Sequence, residues 1–264
     1  MELLNSSTAK YPDWTGWTLV QPCISVGHVG QLAVDVLITS LRAQRITSLY
    51  HPALYPVAGV GAYDHVVEQE NASLNTSLEV YACNEKKVVL MQQRSPCIPG
   101  RQAEFCNNLK EWIEARNFQQ VVILSSLDSQ ARVDMQLQGD QFRYVHNSTA
   151  EDRQASLDDT PTPASLKWPA LEAVVVSSDT PAGSGNMLGS GLAKRLLTSL
   201  TESGIATTVL LPFCQPGMQC REALMATYRL NQWLHIIPDE NGGIRWPKSW
   251  DAILPGLSEV IPTV

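Results

Sequence analysis

Apolar runs typical of buried strands alternate along this chain with segments whose apolar residues recur at helical spacing, and this alternation constrains the fold most strongly. The first unit is a strand at residues 18–25, a turn at Gly27 and Gly30, and a helix with one apolar face. That face carries Val29, Ala33, Val36, Leu37 and Leu41. Strands that alternate with helices favour one mainly parallel sheet with helices on both faces. The predicted fold is therefore a three-layer α/β sandwich.

The same periodicity predicts the remaining elements. Residues 79–83 and 87–92 are predicted to pair as a hairpin. Residues 51–63 hold two prolines and two glycines and are expected to form a loop. Further strands are expected at residues 46–50, 121–126, 142–146, 173–178 and 206–213, and further helices at residues 102–116, 188–200 and 221–237.

Two segments depart from this alternation. Residues 147–167 are rich in Ser, Thr, Asp and Pro and have almost no large apolar side chains. Burial there cannot offset the entropy of ordering, so we expect a flexible insertion. Residues 239–264 contain several prolines and are expected to form an irregular tail over the surface. With 264 residues and no internal repeat, the chain is predicted to be a single domain, residues 1–264.

The charge balance and the hydropathy exclude several classes of protein. Nineteen Lys and Arg residues stand against 26 Asp and Glu residues, whereas nucleic-acid binders usually carry a clustered basic face. No stretch of about 18 apolar residues is long enough to span a membrane, and residues 1–10 do not resemble a signal peptide. We therefore predict a cytoplasmic and nuclear protein that binds a protein or a small ligand, but neither nucleic acid nor membrane.

Two glycine-rich turns are candidates for a ligand site. Residues 183–191 read Gly-Ser-Gly-Asn-Met-Leu-Gly-Ser-Gly, between a predicted strand and helix, where backbone N–H groups can bind phosphate. Their spacing departs from the dinucleotide fingerprint, and no lysine follows as in a P-loop. The alternative is that the glycines permit a tight turn and close packing. His28, in the earlier turn, is a candidate acid or base, but no acidic or nucleophilic partner is evident.

The residue types that supply nucleophiles and metal ligands form no recognisable site. Ser184 and Ser190 lie outside any G-x-S-x-G pattern. The six cysteines include no C-x-x-C pair and are expected to be free thiols: Cys23, Cys83, Cys97, Cys106, Cys214 and Cys220. The histidines are scattered singly, without a metal-binding spacing. We predict no catalytic, cofactor-binding or metal-binding residue.

Tryptophans are concentrated near the two ends of the chain: Trp14, Trp17, Trp233, Trp246 and Trp250. Aromatic enrichment is typical of protein interfaces. Tryptophans at the ends of segments also pin those segments to a core. The sequence leaves both interpretations open.

Seven short stretches match, in order, the pattern of a known family. The longest is residues 25–35, Ser-Val-Gly-His-Val-Gly-Gln-Leu-Ala-Val-Asp, which is similar to that family's first strand, turn and helix. The others are residues 56–59, 79–81, 124–126, 142–144, 230–234 and 247–250. On these stretches, which extend across most of the chain, it resembles the proteasome assembly chaperone 2 family.

The resemblance implies an α/β sandwich similar to that of nucleoside phosphorylases, without their catalytic residues. It also implies a non-enzymatic role in assembly of the 20S proteasome. The chain would pair with proteasome assembly chaperone 1, bind proteasome α subunits, promote formation of the α ring and prevent off-pathway ring dimers. The residues themselves leave an alternative, a small-molecule or nucleotide-binding enzyme on the same scaffold, because fold does not determine function.

The carboxyl terminus departs from a pattern found among such chaperone pairs. Members can end in a hydrophobic residue, a tyrosine and any residue, and this motif enters a pocket between α subunits. Residues 260–264 read Val-Ile-Pro-Thr-Val and contain no tyrosine, so entry into such a pocket is not predicted. The proteasome contact expected there is made by Pro262, Thr263 and Val264, with a free carboxylate that can pair with a lysine.

Overall fold

The computed structural model of the chain describes residues 2–3, 11–63, 74–155, 161–172, 187–238 and 243–250. Within these ranges the strands are β1 (Glu2–Leu3), β2 (Thr18–Pro22), β3 (Gln44–Tyr50), β4 (Ala58–Val60), β5 (Leu74–Thr76), β6 (Leu78–Cys83), β7 (Val88–Gln93), β8 (Gln120–Leu124), β9 (Leu127–Asp128), β10 (Phe142–His146) and β11 (Thr207–Cys214). The α-helices there are α1 (Val29–Ser40), α2 (Gln102–Glu114), α3 (Ser148–Ala155), α4 (Ala193–Glu202) and α5 (Cys220–Leu234). None of these described helices has the length and apolar content needed to cross a membrane. The strand predicted at residues 173–178 lies outside the described ranges.

One mixed sheet forms the centre of the fold. Its strand order is β1-β3-β6-β7-β2-β8-β11-β10, and β9 pairs with β11. The four central strands, β7, β2, β8 and β11, are parallel, whereas the flanking strands pair antiparallel. Strands β8 and β11 consist mainly of buried apolar residues, as expected for parallel strands covered on both faces. The predicted α/β fold is confirmed, and so is the hairpin of β6 and β7.

Alternate side chains of the central strands pack against helices on opposite faces of the sheet. On one face, Val20, Val122 and Leu210 belong to the apolar cluster that contains residues of α1 and α5. On the other face, Leu19 and Ile123 belong to the cluster that contains residues of α2 and α4. Successive strand residues point to opposite faces, so one apolar run contributes to both cores. The structure has the three predicted layers.

Two helices differ from their predicted extents. Helix α4 begins at Ala193, because Gly189 and Gly191 take positive φ angles of 87° and 59°. Leu188, which was predicted to lie on the helix, precedes it and is 54% exposed. Helix α5 ends at Leu234, before the predicted end, because the next residue adopts a left-handed conformation with a φ of 49°.

Part of the segment predicted to be a flexible insertion is helical. Helix α3 follows Asn147, whose side-chain oxygen accepts hydrogen bonds from the N–H groups of Ala150 and Thr207, both at 3.0 Å. The Asn147 amide donates to the carbonyl of Ile205 at 2.8 Å. An asparagine at a helix start satisfies N–H groups that would otherwise lack a partner. Composition does not reveal this cap, and the prediction of a flexible insertion is corrected to a helix over residues 148–155.

In the described part of the predicted tail, residues 243–248 form neither helix nor strand, and Ser249 and Trp250 are helical. Ser40, at the end of α1, accepts a hydrogen bond from the Arg245 N–H at 2.8 Å and donates to the Arg245 carbonyl at 3.1 Å. Trp250 is buried in the apolar cluster that contains α1 and α5. These contacts attach the segment to the body of the protein. Residues 251–264, which include the predicted proteasome contact, lie outside the described ranges.

Candidate interaction surface

The glycine turn at residues 27–30 connects β2 to α1 and packs directly on the neighbouring strand. Gly27 has a φ of 72°, a left-handed conformation that glycine adopts without strain. A Cβ atom on Gly30 would overlap the carbonyl oxygen of Leu124, at the end of β8. The Ser126 hydroxyl donates to the carbonyl of Val26 at 2.6 Å. Backbone groups of the neighbouring strand therefore fill the space beside this turn.

The second glycine turn packs on the first. A Cβ atom on Gly191 would overlap the carbonyl oxygen of Ile24. The N–H of Val26 donates to the carbonyl of Gly189 at 2.9 Å. These contacts support the interpretation that the described glycines serve close packing. Residues 183–186 of the predicted loop lie outside the described ranges.

The histidines are dispersed. His28 is exposed, and its Nδ1 lies 3.0 Å from the amide oxygen of Gln31. His51 is buried, and its Nδ1 accepts a hydrogen bond from the Ala53 N–H at 3.0 Å. Burial lowers the pKa of His51 and favours the neutral ring. Within the part of the chain that the structure describes, no three His, Cys, Asp or Glu side chains form a group that could hold a metal ion.

All six cysteines are free thiols, as predicted. Burial raises the pKa of Cys97 to about 12 and the pKa of Cys106, Cys214 and Cys220 to about 11. It also raises the pKa of Cys23. The nucleophilic form of cysteine is the thiolate, so these five side chains are poor nucleophiles at neutral pH.

The tryptophans near the two ends of the chain pack inward. Trp14, Trp233 and Trp250 are buried, with exposures of 1%, 3% and 5%. Trp17 and Trp246 are partly buried against the same apolar clusters. Of the two interpretations that the sequence left open, the structure favours the one in which these residues pin chain segments to the core.

Exposed apolar side chains accompany the two-stranded hairpin of β4 and β5. Val60 is 85% exposed, and Leu74, its partner in the register of the hairpin, is 55% exposed. Tyr50, at the end of β3, and Tyr55 and Val57, just before β4, are 43–45% exposed. We call these five residues the hairpin patch. Exposed apolar groups mark protein interaction sites, where tyrosine is enriched.

Ser77 holds the segment that precedes β4 against the main sheet. Its hydroxyl donates to the carbonyl of Tyr55 and accepts from the N–H of Val57, both at 2.9 Å. Ser77 lies between β5 and β6 and so joins the hairpin patch to a strand of the main sheet. The sequence predicts a loop over residues 51–63 and gives no signal for β4, because the partner strand of β4 is distant along the chain.

A buried ion pair anchors β5. Arg45 Nη2 lies 2.7 Å from Glu79 Oε1, and the Glu79 side chain is completely buried. The Arg45 guanidinium also donates to the carbonyl of Leu74 at 2.7 Å, while Glu79 accepts from the N–H of Thr76 at 3.0 Å. Burial raises the pKa of Glu79, with the Arg45 charge acting in the opposite direction. The pair fixes both ends of β5.

A second buried cluster ties α1 to the segment that follows β4. The Asp35 carboxylate receives two guanidinium contacts from Arg94, at 2.8 and 3.0 Å. Gln92 donates to it at 2.7 Å, and the Tyr63 hydroxyl donates as well. A bidentate pair of this kind is geometrically specific, and removal of one partner leaves a buried charge. The sequence signal for this cluster is a single aspartate within an apolar helix.

Five further large hydrophobic side chains are exposed elsewhere in the described ranges: Met135, Leu137, Leu188, Met218 and Tyr228. Leu188 and Met218 lie beside the glycine turns, since the residue after Met218, Gln219, donates its N–H to the Gly27 carbonyl at 3.0 Å. We call Leu188 and Met218 the turn-edge pair. This pair offers less apolar surface than the hairpin patch and has no aromatic side chain.

Comparison with known proteins identifies the family. The sequence pattern of the PAC2 family matches residues 19–232. The chain belongs to the PAC2 family. It is 35% identical over 238 residues to proteasome assembly chaperone 2 of Nematostella vectensis, covering 88% of this chain and 95% of that protein. The human protein of the same name is 32% identical over 248 residues, covering 90% and 92%. The resemblance to the proteasome assembly chaperone 2 family is confirmed.

The fold of this PAC2-family protein matches solved structures at low sequence identity. Pyrococcus furiosus PbaA, an archaeal homolog of proteasome-assembly chaperone, matches with a TM-score of 0.62 at 15% identity, covering 94% of this chain and 90% of that one. Pyrococcus furiosus PbaB, an archaeal proteasome activator, matches with a TM-score of 0.59 at 14% identity, covering 95% and 94%. At these identities the likeness concerns the fold, and it agrees with the α/β architecture derived above.

Proposed function

We propose that this PAC2-family protein is an assembly chaperone of the 20S proteasome and acts by binding other proteins in the cytoplasm and nucleus. The observation that carries the proposal is its similarity, along most of its length, to proteins named proteasome assembly chaperone 2. The structure adds support, because apolar side chains are exposed on a hairpin that the Arg45–Glu79 and Asp35–Arg94 ion pairs hold in place.

The proposed partner is proteasome assembly chaperone 1, which forms a heterodimer with this chain. The hairpin patch is the proposed contact surface for that partner. It offers five apolar side chains, two of them tyrosines, and the Arg45–Glu79 and Asp35–Arg94 pairs hold the segments that carry it. A surface that is already ordered loses less conformational entropy on association, which favours tight binding.

The heterodimer is proposed to bind proteasome α subunits, promote formation of the α ring and prevent off-pathway ring dimers. Pro262, Thr263 and Val264 are the proposed contact of this chain with the ring. They lack a tyrosine, so we expect this tail to contribute less than a partner tail that carries the complete motif. The broad surface of the heterodimer then makes the larger contribution.

A binding role is favoured over the alternative of a nucleotide-binding enzyme. The described glycines, which were candidates for a phosphate site, pack against carbonyl oxygens of Leu124 and Ile24, and carbonyl oxygens repel an anion. Five of the six thiols have a pKa raised by burial. These observations give no support to catalysis at the glycine turns.

Capture of α subunits by truncated heterodimers tests this proposal. One heterodimer lacks residues 261–264 of this chain, and the matched control lacks the last four residues of chaperone 1. We expect the first truncation to weaken capture less than the second. If removal of residues 261–264 alone abolishes capture while the heterodimer survives, the proposed role of this tail is wrong. If the intact heterodimer captures no α subunit, the chaperone proposal itself is wrong.

A further inference from the structure

The small hairpin sheet has a free strand edge along β4. Within the described ranges this sheet consists of β4 and β5, so β4 forms one of its two edges. All three residues of β4, Ala58, Gly59 and Val60, are exposed. The backbone N–H and C=O groups of an edge strand can pair with a strand of another chain, provided that they face outward.

Hydrogen bonds of β5 show which backbone groups of β4 face outward. In an antiparallel pair, opposed residues alternate between those that exchange backbone hydrogen bonds and those whose backbone groups point away from the partner strand. The Thr76 N–H and the Leu74 carbonyl bind the side chains of the buried ion pair that anchors β5, at 3.0 and 2.7 Å, so they point away from β4. Thr76 is opposite Ala58, and Leu74 is opposite Val60. The backbone groups of Ala58 and Val60 therefore point towards the free edge.

These outward groups have the pattern of donors and acceptors that a second copy of β4 needs. The Val57 N–H donates to the Ser77 hydroxyl on the β5 side at 2.9 Å, as the same alternation requires. Within the described part of the chain, no group forms a hydrogen bond with the outward N–H and C=O groups of Ala58 and Val60. They present donor, acceptor, donor and acceptor in order along the edge. An identical strand that runs in the opposite direction presents the reverse order, so each donor meets an acceptor.

The segment that contains this edge carries no charged side chain. Residues 55–63 read Tyr-Pro-Val-Ala-Gly-Val-Gly-Ala-Tyr. Edge strands of soluble proteins commonly carry lysine or another charged residue, which opposes the addition of a further strand. A second copy of β4 therefore meets no like charge here, whereas a charged partner segment would gain no ion pair. The edge favours an uncharged strand such as β4 itself.

We propose that β4 pairs antiparallel with β4 of a second copy of this chain, about a two-fold axis at Gly59. Ala58 of each copy exchanges two backbone hydrogen bonds with Val60 of the other copy, which gives four bonds and one continuous four-stranded sheet. The two Gly59 residues lie opposite each other with Cα atoms about 4.5 Å apart, and neither has a side chain to clash. A two-fold interface uses the same surface of both copies, as this pairing does.

The proposed homodimer is weak and reversible. Pro56 has no N–H and precedes β4, so the pairing is limited to the short strand itself. The Val60 side chains of the two copies become diagonal neighbours on one face of the joined sheet, which covers part of the hairpin patch. Such a contact is smaller than the standard interface of a stable complex. Homodimer formation does not depend on the proposed chaperone function and is tested on this chain alone.

Sedimentation equilibrium of the full chain, with and without Ala58→Pro, tests the hydrogen bonds. Proline removes an outward N–H from each copy but no bond within the hairpin, and edge strands tolerate proline at such positions. We expect the dissociation constant of the homodimer to rise about tenfold or more. Ala58→Val keeps the N–H and favours a strand, so this matched control should not weaken the dimer. A chain that stays monomeric throughout the micromolar range, or equal dissociation constants for Ala58→Pro and the unsubstituted protein, would overturn the proposal.

Cross-linking at the axis tests the pairing without removing any hydrogen bond. Gly59→Cys places two thiols opposite each other, at a Cα separation within the range of about 4.4–6.8 Å that a disulfide requires. No atom lies within 4 Å of a Cβ added at Gly59, so the hairpin accepts the change. Dioxygen with a copper phenanthroline catalyst should link the two copies through position 59, as identified by peptide mass spectrometry. Met218→Cys, at an exposed position of the turn-edge pair, is the control and should link severalfold less. Absence of a link at position 59, or an equal yield at position 218, would contradict the proposed pairing.

Discussion

The glycine turns and the hairpin patch differ in how much of their surface is left exposed. At the glycine turns, backbone from two loops packs so closely that a single methyl group on Gly30 or Gly191 would overlap a carbonyl oxygen. At the hairpin patch, Val60 and Leu74 are left 85% and 55% exposed. The first region is built for packing, and the second leaves apolar surface for another molecule to cover.

The difference between these regions indicates how a sheet of this kind can serve a binding function. The sheet end where ligands often bind is largely closed by backbone contacts at the two turns. The accessory hairpin, which adds nothing to the central sheet, is instead held by Arg45 and Glu79 and presents side chains to solvent. Four predictions use this contrast, in order of decreasing effect.

Gly30→Ala should cause the largest loss of stability. Alanine favours a helix by about 1 kcal/mol over glycine, but its Cβ would overlap the Leu124 carbonyl oxygen, which also accepts a hydrogen bond from Cys23. We expect the free energy of unfolding in urea to fall by about 3 kcal/mol, a value typical of severe overpacking. Gly59→Ala in β4 is the matched control, since no atom lies within 4 Å of its added Cβ. Equal effects of the two changes would contradict the assignment of close packing to the glycine turn.

Replacement of the hairpin patch should weaken heterodimer formation and leave folding intact. Threonine at positions 60 and 74 keeps a strand-forming side chain but removes apolar surface from Val60 and Leu74. We expect the dissociation constant for chaperone 1, measured by calorimetry, to rise roughly tenfold or more, because each side chain contributes about 1 kcal/mol or more when buried. The control replaces Leu188 and Met218, the turn-edge pair, by threonine. A larger loss of affinity in this control would place the contact with chaperone 1 at the glycine turns.

Glu79→Gln should change the pH dependence of stability in a direction set by burial. Because burial raises the folded-state pKa of Glu79, the folded protein holds this proton more tightly than the unfolded chain does. The contribution of Glu79 to stability is therefore greatest at low pH and declines as the pH rises above about 4.3, the usual glutamate pKa. The stability of the glutamine variant, relative to the original protein, should rise with pH in urea titrations.

Glu104→Gln is a control in which the relative stability of the variant is expected to change with pH in the opposite direction. Its hydrogen bond with Arg101 lowers the pKa of Glu104, so its contribution is present above the usual glutamate pKa and is lost as the pH falls. The relative stability of this variant should decline slightly as the pH rises. If the relative stability of both variants changes with pH in the same direction, burial does not raise the pKa of Glu79.

Nucleotides, nucleosides and inorganic phosphate should leave the melting temperature of the protein unchanged, which is the smallest of the four expected effects. A ligand at a hundred times its dissociation constant adds about 2.7 kcal/mol of stability, which a thermal melt detects easily. The glycine turns pack against backbone carbonyls, so we expect no phosphate site there. A clear upward shift with any of these compounds would favour the enzyme alternative.

Strands and helices could be predicted from the sequence wherever burial makes apolar residues recur at a regular spacing. The predicted bounds of β10 match the structure, and those of α2 and β11 differ from it by one or two residues, because both faces or one full face of each element is apolar. Residues 148–155 were misassigned because one capping side chain, Asn147, offset a polar composition. Local composition does not contain that information.

The candidate interaction surface was harder to predict than the fold. The hairpin patch depends on pairing of Val60 with Leu74 across intervening residues, and short strands with few apolar residues have no clear period. Its anchors are equally remote along the chain, since Arg94, which follows β7, pairs with Asp35 on α1. The six free thiols and the inward-packing glycines were accessible from sequence, because cysteine spacing and glycine turns are local signals.

Size-exclusion chromatography with light scattering, on this chain alone and co-expressed with proteasome assembly chaperone 1, tests the central claim most directly. The exposed hairpin patch predicts that the isolated chain self-associates and that co-expression gives one soluble species with one copy of each chain. A monodisperse, fully soluble monomer that remains separate from chaperone 1 would contradict the account.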